Sequence, residues 1–126
     1  MEEDKLNIDE TVLSVDLSEA TEAVKEARFE DALNLLSIVL KDHPDNIDVL
    51  YLAAVSSRYL KKFDESKKYI EHLLFNAPDM GRAYQELGHL NRDMGDEEKA
   101  VVHYRQACEL NPALLAAWNS LYEYFL

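Results

Sequence analysis

Apolar positions recur at helical spacing in three successive stretches: Leu33, Leu36, Val39 and Leu40; Tyr69, Ile70, Leu73 and Leu74; Val101, Tyr104, Ala107 and Cys108. Steps of three and four place each set on one side of an α-helix. Each stretch follows a similar polar phrase: Arg28-Phe29-Glu30-Asp31-Ala32, Lys62-Phe63-Asp64-Glu65-Ser66 and Asp96-Glu97-Glu98-Lys99-Ala100. The phrases stand 34 residues apart, and each ends on a small residue (Ala32, Ser66, Ala100) that lets two helices approach closely. The uninterrupted apolar run Val49 to Val55 has the composition of a buried strand, but its alanines and its place in the repeat predict helix.

The three prolines, Pro44, Pro78 and Pro112, keep the same stride of 34. Proline has no N–H and a fixed φ, so it is tolerated at a helix entry and disfavoured in a helix interior. Each has Asp or Asn beside it, residues able to accept a bond from the free N–H groups of a following helix. Prolines and polar phrases together divide the chain into units of two helices each.

The 126 residues suit one domain, and 48% hydrophobic content suffices for a core. The net charge of −12 repels phosphate backbones and anionic lipid, which argues against nucleic-acid and membrane-surface binding. One cysteine makes neither an internal disulfide nor a multi-cysteine zinc site. The start, MEEDK, has no apolar stretch after it, so no signal peptide is read, and the expected setting is a reducing one, the cytoplasm. Residues 1–31 hold 11 acidic and 3 basic residues, and the remaining 95 hold 14 and 10. Residues 1–10 read as an acidic leader. The simple interpretation of this end is a solvated leader and polar first helix; the sharper one is a tail that occupies its own basic groove.

On these residues the chain resembles the tetratricopeptide repeat family, which repeats a 34-residue helix–turn–helix. Unit three, residues 81–114, carries Tyr84, Leu87-Gly88, the Gly95-Asp96 turn, Ala100, Tyr104, Ala107 and Pro112 in the family's positions, with Asn91 departing from an aromatic. Unit two, 47–80, keeps Ala54, Phe63, Ser66, Ile70 and Pro78. Unit one, about 13–46, keeps Ala20, Phe29, Ala32, Leu36 and Pro44 but has Asp16 and Glu19 in place of the aromatic and Leu. Residues 115–126 begin a fourth unit, with Trp118 and Leu121 each 34 after Tyr84 and Leu87. The resemblance implies an all-α, right-handed superhelical solenoid of about seven helices over residues 11–126, with the first helix of each unit lining a concave face.

The resemblance also implies which side chains face that groove. In unit two they are Asp48, Tyr51, Leu52, Val55, Arg58 and Tyr59; in unit three, Arg82, Gln85, Glu86, His89, Arg92 and Asp93. Leu17, Thr21, Val24 and Lys25 stand there in unit one, and Asn119, Ser120 and Glu123 in the fourth helix. Tyr51, Val55, Arg58, Tyr59, Arg82, Gln85, His89 and Arg92 are the expected contacts for a protein or peptide, acidic by preference, because Arg pairs with carboxylates and stacks on aromatic rings. The rival reading pairs these arginines with Glu86, Asp93 and Asp48. Under the contact reading, Arg58→Glu with Arg92→Glu abolishes capture at little cost in stability. Some family members clamp the C-terminal carboxylate of heat-shock chaperones. The matching positions here hold Leu17, Thr21, Leu52, Arg82 and Glu86, and only Arg82 has a suitable charge.

Other chemistry is sparse. The histidines, His43, His72, His89 and His103, show no metal spacing, and no metal or cofactor is expected. Cys108 reads as a buried thiol, and Glu97-Glu98 as complements of a helix dipole. No nucleophile elbow or phosphate-binding glycine loop is present, so catalysis within the chain is not expected. The final stretch is strongly apolar: Trp118, Leu121, Tyr122 and Phe125 are candidates for self-association as a homodimer, if the chain does not continue. Residues 110–118 show a slight likeness, over one helix, to repeats heading bacterial sulfotransferase-like proteins. That likeness leaves a larger enzyme with a catalytic domain beyond Leu126 as an alternative.

Overall fold

The computed structural model describes residues 17–126. The acidic leader 1–10, and Asp16 with the start of the first unit, lie outside the described residues. Among the described residues all regular structure is helical. The helices are α1 (its described part 17–25), α2 (Phe29–Asp42), α3 (Ile47–Tyr59), α4 (Phe63–Asn76), α5 (Gly81–Asp93), α6 (Glu97–Leu110) and α7 (Leu115–Phe125). The run Val49 to Val55 is helical, inside α3.

The turn inside each hairpin is the same structure built three times. Ala27, Lys61 and Gly95 are left-handed, with φ of 59°, 62° and 87°. The following N–H reaches back five residues: Arg28 to Ala23 O at 2.7 Å, Lys62 to Ser57 O at 2.8 Å and Asp96 to Asn91 O at 2.8 Å. The left-handed residue itself bonds three back, to Val24, Arg58 and Arg92. This pair of bonds closes the carbonyl end of a helix, and only the third copy has glycine at the left-handed point.

After each turn the small residue is buried. Ser66 also donates from Oγ to the carbonyl of Ala54 at 2.8 Å, tying α4 to α3. Between hairpins the prolines lie just past the helix ends at His43, Ala77 and Asn111. The Asn and Asp beside them cap unevenly. Asn46 accepts from Val49 N at the start of α3, whereas α5 and α7 have no local side-chain cap.

The core is a string of small clusters. Leu36, Val39, Val49 and Ala53 fill the first, with Ala20 and Ala23. Leu50, Leu73 and Ala83 form the next, beside Ala54, Ile70 and Leu90. Ala100, Tyr104, Ala107, Ala117 and Leu121 form the last. Each hairpin thus buries its apolar face on its neighbours, as a solenoid must.

The curvature follows from which helices meet. Among α2 to α7, α3 touches α5 and α5 touches α7, whereas α4 touches neither α2 nor α6. The first helices of the hairpins crowd together on the inner side and the second helices splay outward. Within the third hairpin, Gly88 of α5 permits the close approach of α6: a Cβ there would lie 2.5 Å from the Tyr104 ring.

Candidate functional site

The inner face carries a polar spine. Arg58 of α3 is buried, with Nε 2.7 Å from Oε2 of Glu86, Nη2 3.1 Å from Oε1 of the same carboxylate, and Nη1 2.9 Å from Oδ2 of Asp93. Burial opposes the Arg58 charge, but the two carboxylates outweigh it and its pKa lies above the ordinary value. Burial pushes the Glu86 carboxyl up while Arg58 pulls it down, and burial is the larger effect. The three groups bind α3 to α5 and leave Arg58 little capacity for a ligand.

One turn further along α5, His89 sits half-buried with Nδ1 2.7 Å from the Tyr104 hydroxyl. Burial and the nearby Arg58 and Arg92 charges lower its pKa to about 4, so the ring is neutral at pH 7. The tautomer protonated on Nε2 accepts the Tyr104 proton. Burial raises the pKa of the same phenol, and Ser120 of α7 lines a cavity with it. The Gln85 side chain is also engaged: its Oε1 accepts from Ala117 N at 3.1 Å and caps α7 from another helix.

Three of the eight expected groove residues thus already have partners within the fold. Arg58 is a buried ion-pair partner, Gln85 a tertiary helix cap, and His89 a link to Tyr104. The pairing of Arg58 with Glu86 and Asp93 is the rival reading for that residue. Tyr59 is exposed, but its ring stacks on Phe29 at 4.3 Å and 1°, beside Arg58. Val55 is half-buried.

The open part of the face is built by the remaining residues. Arg82 lies over the Tyr51 ring at 4.2 Å and has no ion-pair partner among the described residues. Burial raises the Tyr51 phenol. Arg92 is 46% exposed and only loosely held, 3.5 Å from Asp93. It borders a cavity of about 250 Å³ that includes Tyr104, Ser120 and Glu123. The positions that would form a carboxylate clamp do not make a basic pocket. Leu17 and Leu52 pack against the first core cluster, Thr21 donates to the Leu17 carbonyl, and Glu86 is paired with Arg58.

Of the self-association candidates, Trp118, Tyr122 and Phe125 are exposed, whereas Leu121 is buried against the last core cluster. Cys108 is buried, and burial raises its pKa. Among the described residues no group of three His, Cys, Asp or Glu is placed to hold a metal ion, and no helix is long and apolar enough to cross a membrane.

The links from His89 to Tyr104, and from Gln85 to Ala117, were not legible in the sequence. Gln85 and Ala117 are 32 residues apart, and no local pattern joins them.

Residues 81–114 match the tetratricopeptide repeat family. Solved structures share the fold over most of the chain. The first tetratricopeptide repeat domain of Spaghetti (RPAP3), bound to the HSP90 peptide SRMEEVD, is 20% identical, covers 86% of each chain and gives a TM-score of 0.77. The Arabidopsis OM64 domain is 16% identical, with 91% of this chain and 95% of that one covered and a TM-score of 0.82. The Thermobaculum terrenum O-GlcNAc transferase is 22% identical, with 90% of this chain but 22% of that one covered and a TM-score of 0.85. The class of fold is thereby defined: residues 81–114 match one tetratricopeptide repeat, and the described chain has the fold of tetratricopeptide repeat domains, an all-α solenoid of helical hairpins.

Proposed function

We propose that this chain is a non-catalytic scaffold that holds a segment of a partner protein on its concave face. The observation that carries the reading is Arg82, exposed on the inner side of α5, stacked on Tyr51 and without a carboxylate partner among the described residues. Arg82, Gln85, His89 and Arg92 fall on one stripe of α5. The middle two bond within the fold and the outer two present charge. Ten helical residues separate the arginines by about 15 Å. An extended peptide spans that distance with about five residues. The fitting ligand is an acidic segment with two carboxylates at that separation, and Tyr51 and Val55 supply apolar contact between hairpins.

The HSP90 peptide SRMEEVD held by the Spaghetti (RPAP3) domain supports a peptide as the ligand class. A chaperone terminus is not the proposed ligand here, because Leu17, Leu52 and the paired Glu86 occupy the clamp positions. The net charge of −12 disfavours nucleic acid and anionic membranes, and the lone cysteine fits a cytoplasmic scaffold.

The test is capture of fluorescent peptides bearing two Asp or Glu residues at graded separation. Arg82→Glu with Arg92→Glu abolishes capture and leaves stability within about 0.5 kcal/mol. Undiminished capture by this variant rejects the surface.

A second reading makes the chain the head of a larger enzyme. The match that spans 22% of the O-GlcNAc transferase chain favours it. The reading frame after Leu126 decides: an immediate stop codon rejects it.

A further inference from the structure

The face of α7 that looks away from the core has a spacing suited to its own copy. Leu115, Trp118, Tyr122 and Phe125 are 74%, 47%, 68% and 61% exposed. Their steps of three, four and three make one stripe, the a/d seam of a helix pair. The stripe reads the same in both directions about position 120. A two-fold axis there sets Trp118 against the second copy's Tyr122, and Leu115 against its Phe125.

The equivalent stripe on α5, 34 residues earlier, is Gly81, Tyr84, Gly88 and Asn91. There α6 covers it closely. A Cβ on Gly88 would lie 2.5 Å from the Tyr104 ring, and one on Gly81 would lie 3.1 Å from the Ala107 carbonyl. In α7 both glycines are replaced, by Leu115 and Tyr122. Tyr122 also stands where α3 has the buried Ala54. A helix packed as α6 packs on α5 would collide with these side chains. Two helices that each present large side chains instead interdigitate at the ordinary 8–10 Å separation.

Two further features favour a second copy. The indole Nε1 of Trp118 donates to the Pro112 carbonyl at 2.8 Å, and Arg105 lies over the Phe125 ring at 5.3 Å. Both rings are therefore held in place before anything binds, which lowers the entropic cost of association. They wall a groove of about 650 Å³ floored by Cys108, Pro112 and Leu121. Charge also selects this end. Residues 99–126 hold Lys99 and Arg105 against Glu109 and Glu123, a net of zero in a chain that carries −12. Two copies meet here with the least mutual repulsion.

We propose that α7 of a second copy packs antiparallel on this α7, each filling the other's groove, so that the chain forms a two-fold dimer. The dimer leaves both inner faces open, so it stands independently of peptide capture.

Light scattering and analytical ultracentrifugation of the full chain test this. The expected result is twice the monomer mass at about 100 μM and dissociation on dilution. Tyr122→Glu and Phe125→Glu each weaken the dimer at least tenfold, with helical circular dichroism unchanged. Phe75→Glu, at a site on α4 that is 87% exposed, leaves the dimer intact and controls for general stickiness. Arg82→Glu with Arg92→Glu also stays dimeric, which separates this interface from the peptide site. A monomer at every concentration, or a dimer indifferent to both α7 variants, overturns the proposal.

Discussion

Arg58 and Glu86 lie 28 residues apart in the chain and meet in the buried seam between α3 and α5, joined by two nitrogen–oxygen contacts of 2.7 and 3.1 Å. A guanidinium fork and a carboxylate match in shape, so the pair fixes the register of one hairpin on the next. Removing one partner leaves the other charged and unsatisfied. Arg58→Ala is expected to cost about 3–5 kcal/mol in urea unfolding. Arg58→Met with Glu86→Leu is expected to recover most of that. Equal losses in the single and double variants would contradict a coupled pair. Arg58→Glu would gather three carboxylates in one buried place, so the sequence-based expectation that it spares stability does not hold.

His89 makes stability depend on pH. Its folded pKa, about 4, lies below the ordinary value of 6.5, so the unfolded chain binds the proton more readily. The resulting stability is fully present above pH 6.5 and is lost as pH falls toward 4. The loss is about 3 kcal/mol at most. His89→Asn, which keeps an acceptor for Tyr104, is expected to flatten the unfolding midpoint between pH 7 and pH 4. An unchanged pH profile in that variant would assign the dependence elsewhere.

The left-handed turn residues Ala27 and Lys61 carry side chains where Gly95 carries none. A Cβ in that region costs about 1 kcal/mol. Lys61→Gly and Ala27→Gly are each expected to raise stability by about 0.5–1 kcal/mol, less the added freedom of the unfolded chain. Gly95→Ala should lower it by a similar amount. Thermal melts of the three variants read the order.

Ser57 and Ser66 are both fully buried, and their hydroxyls differ in fate. Ser66 bonds to the Ala54 carbonyl, while the Oγ atoms of Ser56 and Ser57 have no partner among the described residues. Ser66→Ala is expected to destabilise by about 1 kcal/mol, and Ser57→Ala to stabilise by a similar amount. Opposite signs in denaturant melts are the readout. A loss in Ser57→Ala would mean that its hydroxyl is satisfied in solution.

The helical class, the stride of 34 residues and the turns near 27, 61 and 95 were legible in the chain itself. They rest on local physics: periodic apolar positions, the stiffness of proline, and small residues at a fixed phase. The fate of the inner-face side chains was not local. Arg58, Arg82 and Arg92 look alike in sequence, yet Arg58 is buried between two carboxylates, Arg82 stacks on Tyr51, and Arg92 stays largely free. Gln85 and His89 read as ligand contacts until α6 and α7 fold against them and take up their polar atoms. Leu121 and Tyr122 are neighbours of similar character, and only the angle at which α7 meets α6 buries one and exposes the other. Sequence by itself determined the repeating hairpin, because each element depends on neighbours a few residues away. Tertiary structure alone decided which charges remain open for a partner, because desolvation and ion pairing depend on groups some 30 residues distant that only hairpin stacking brings within 3 Å.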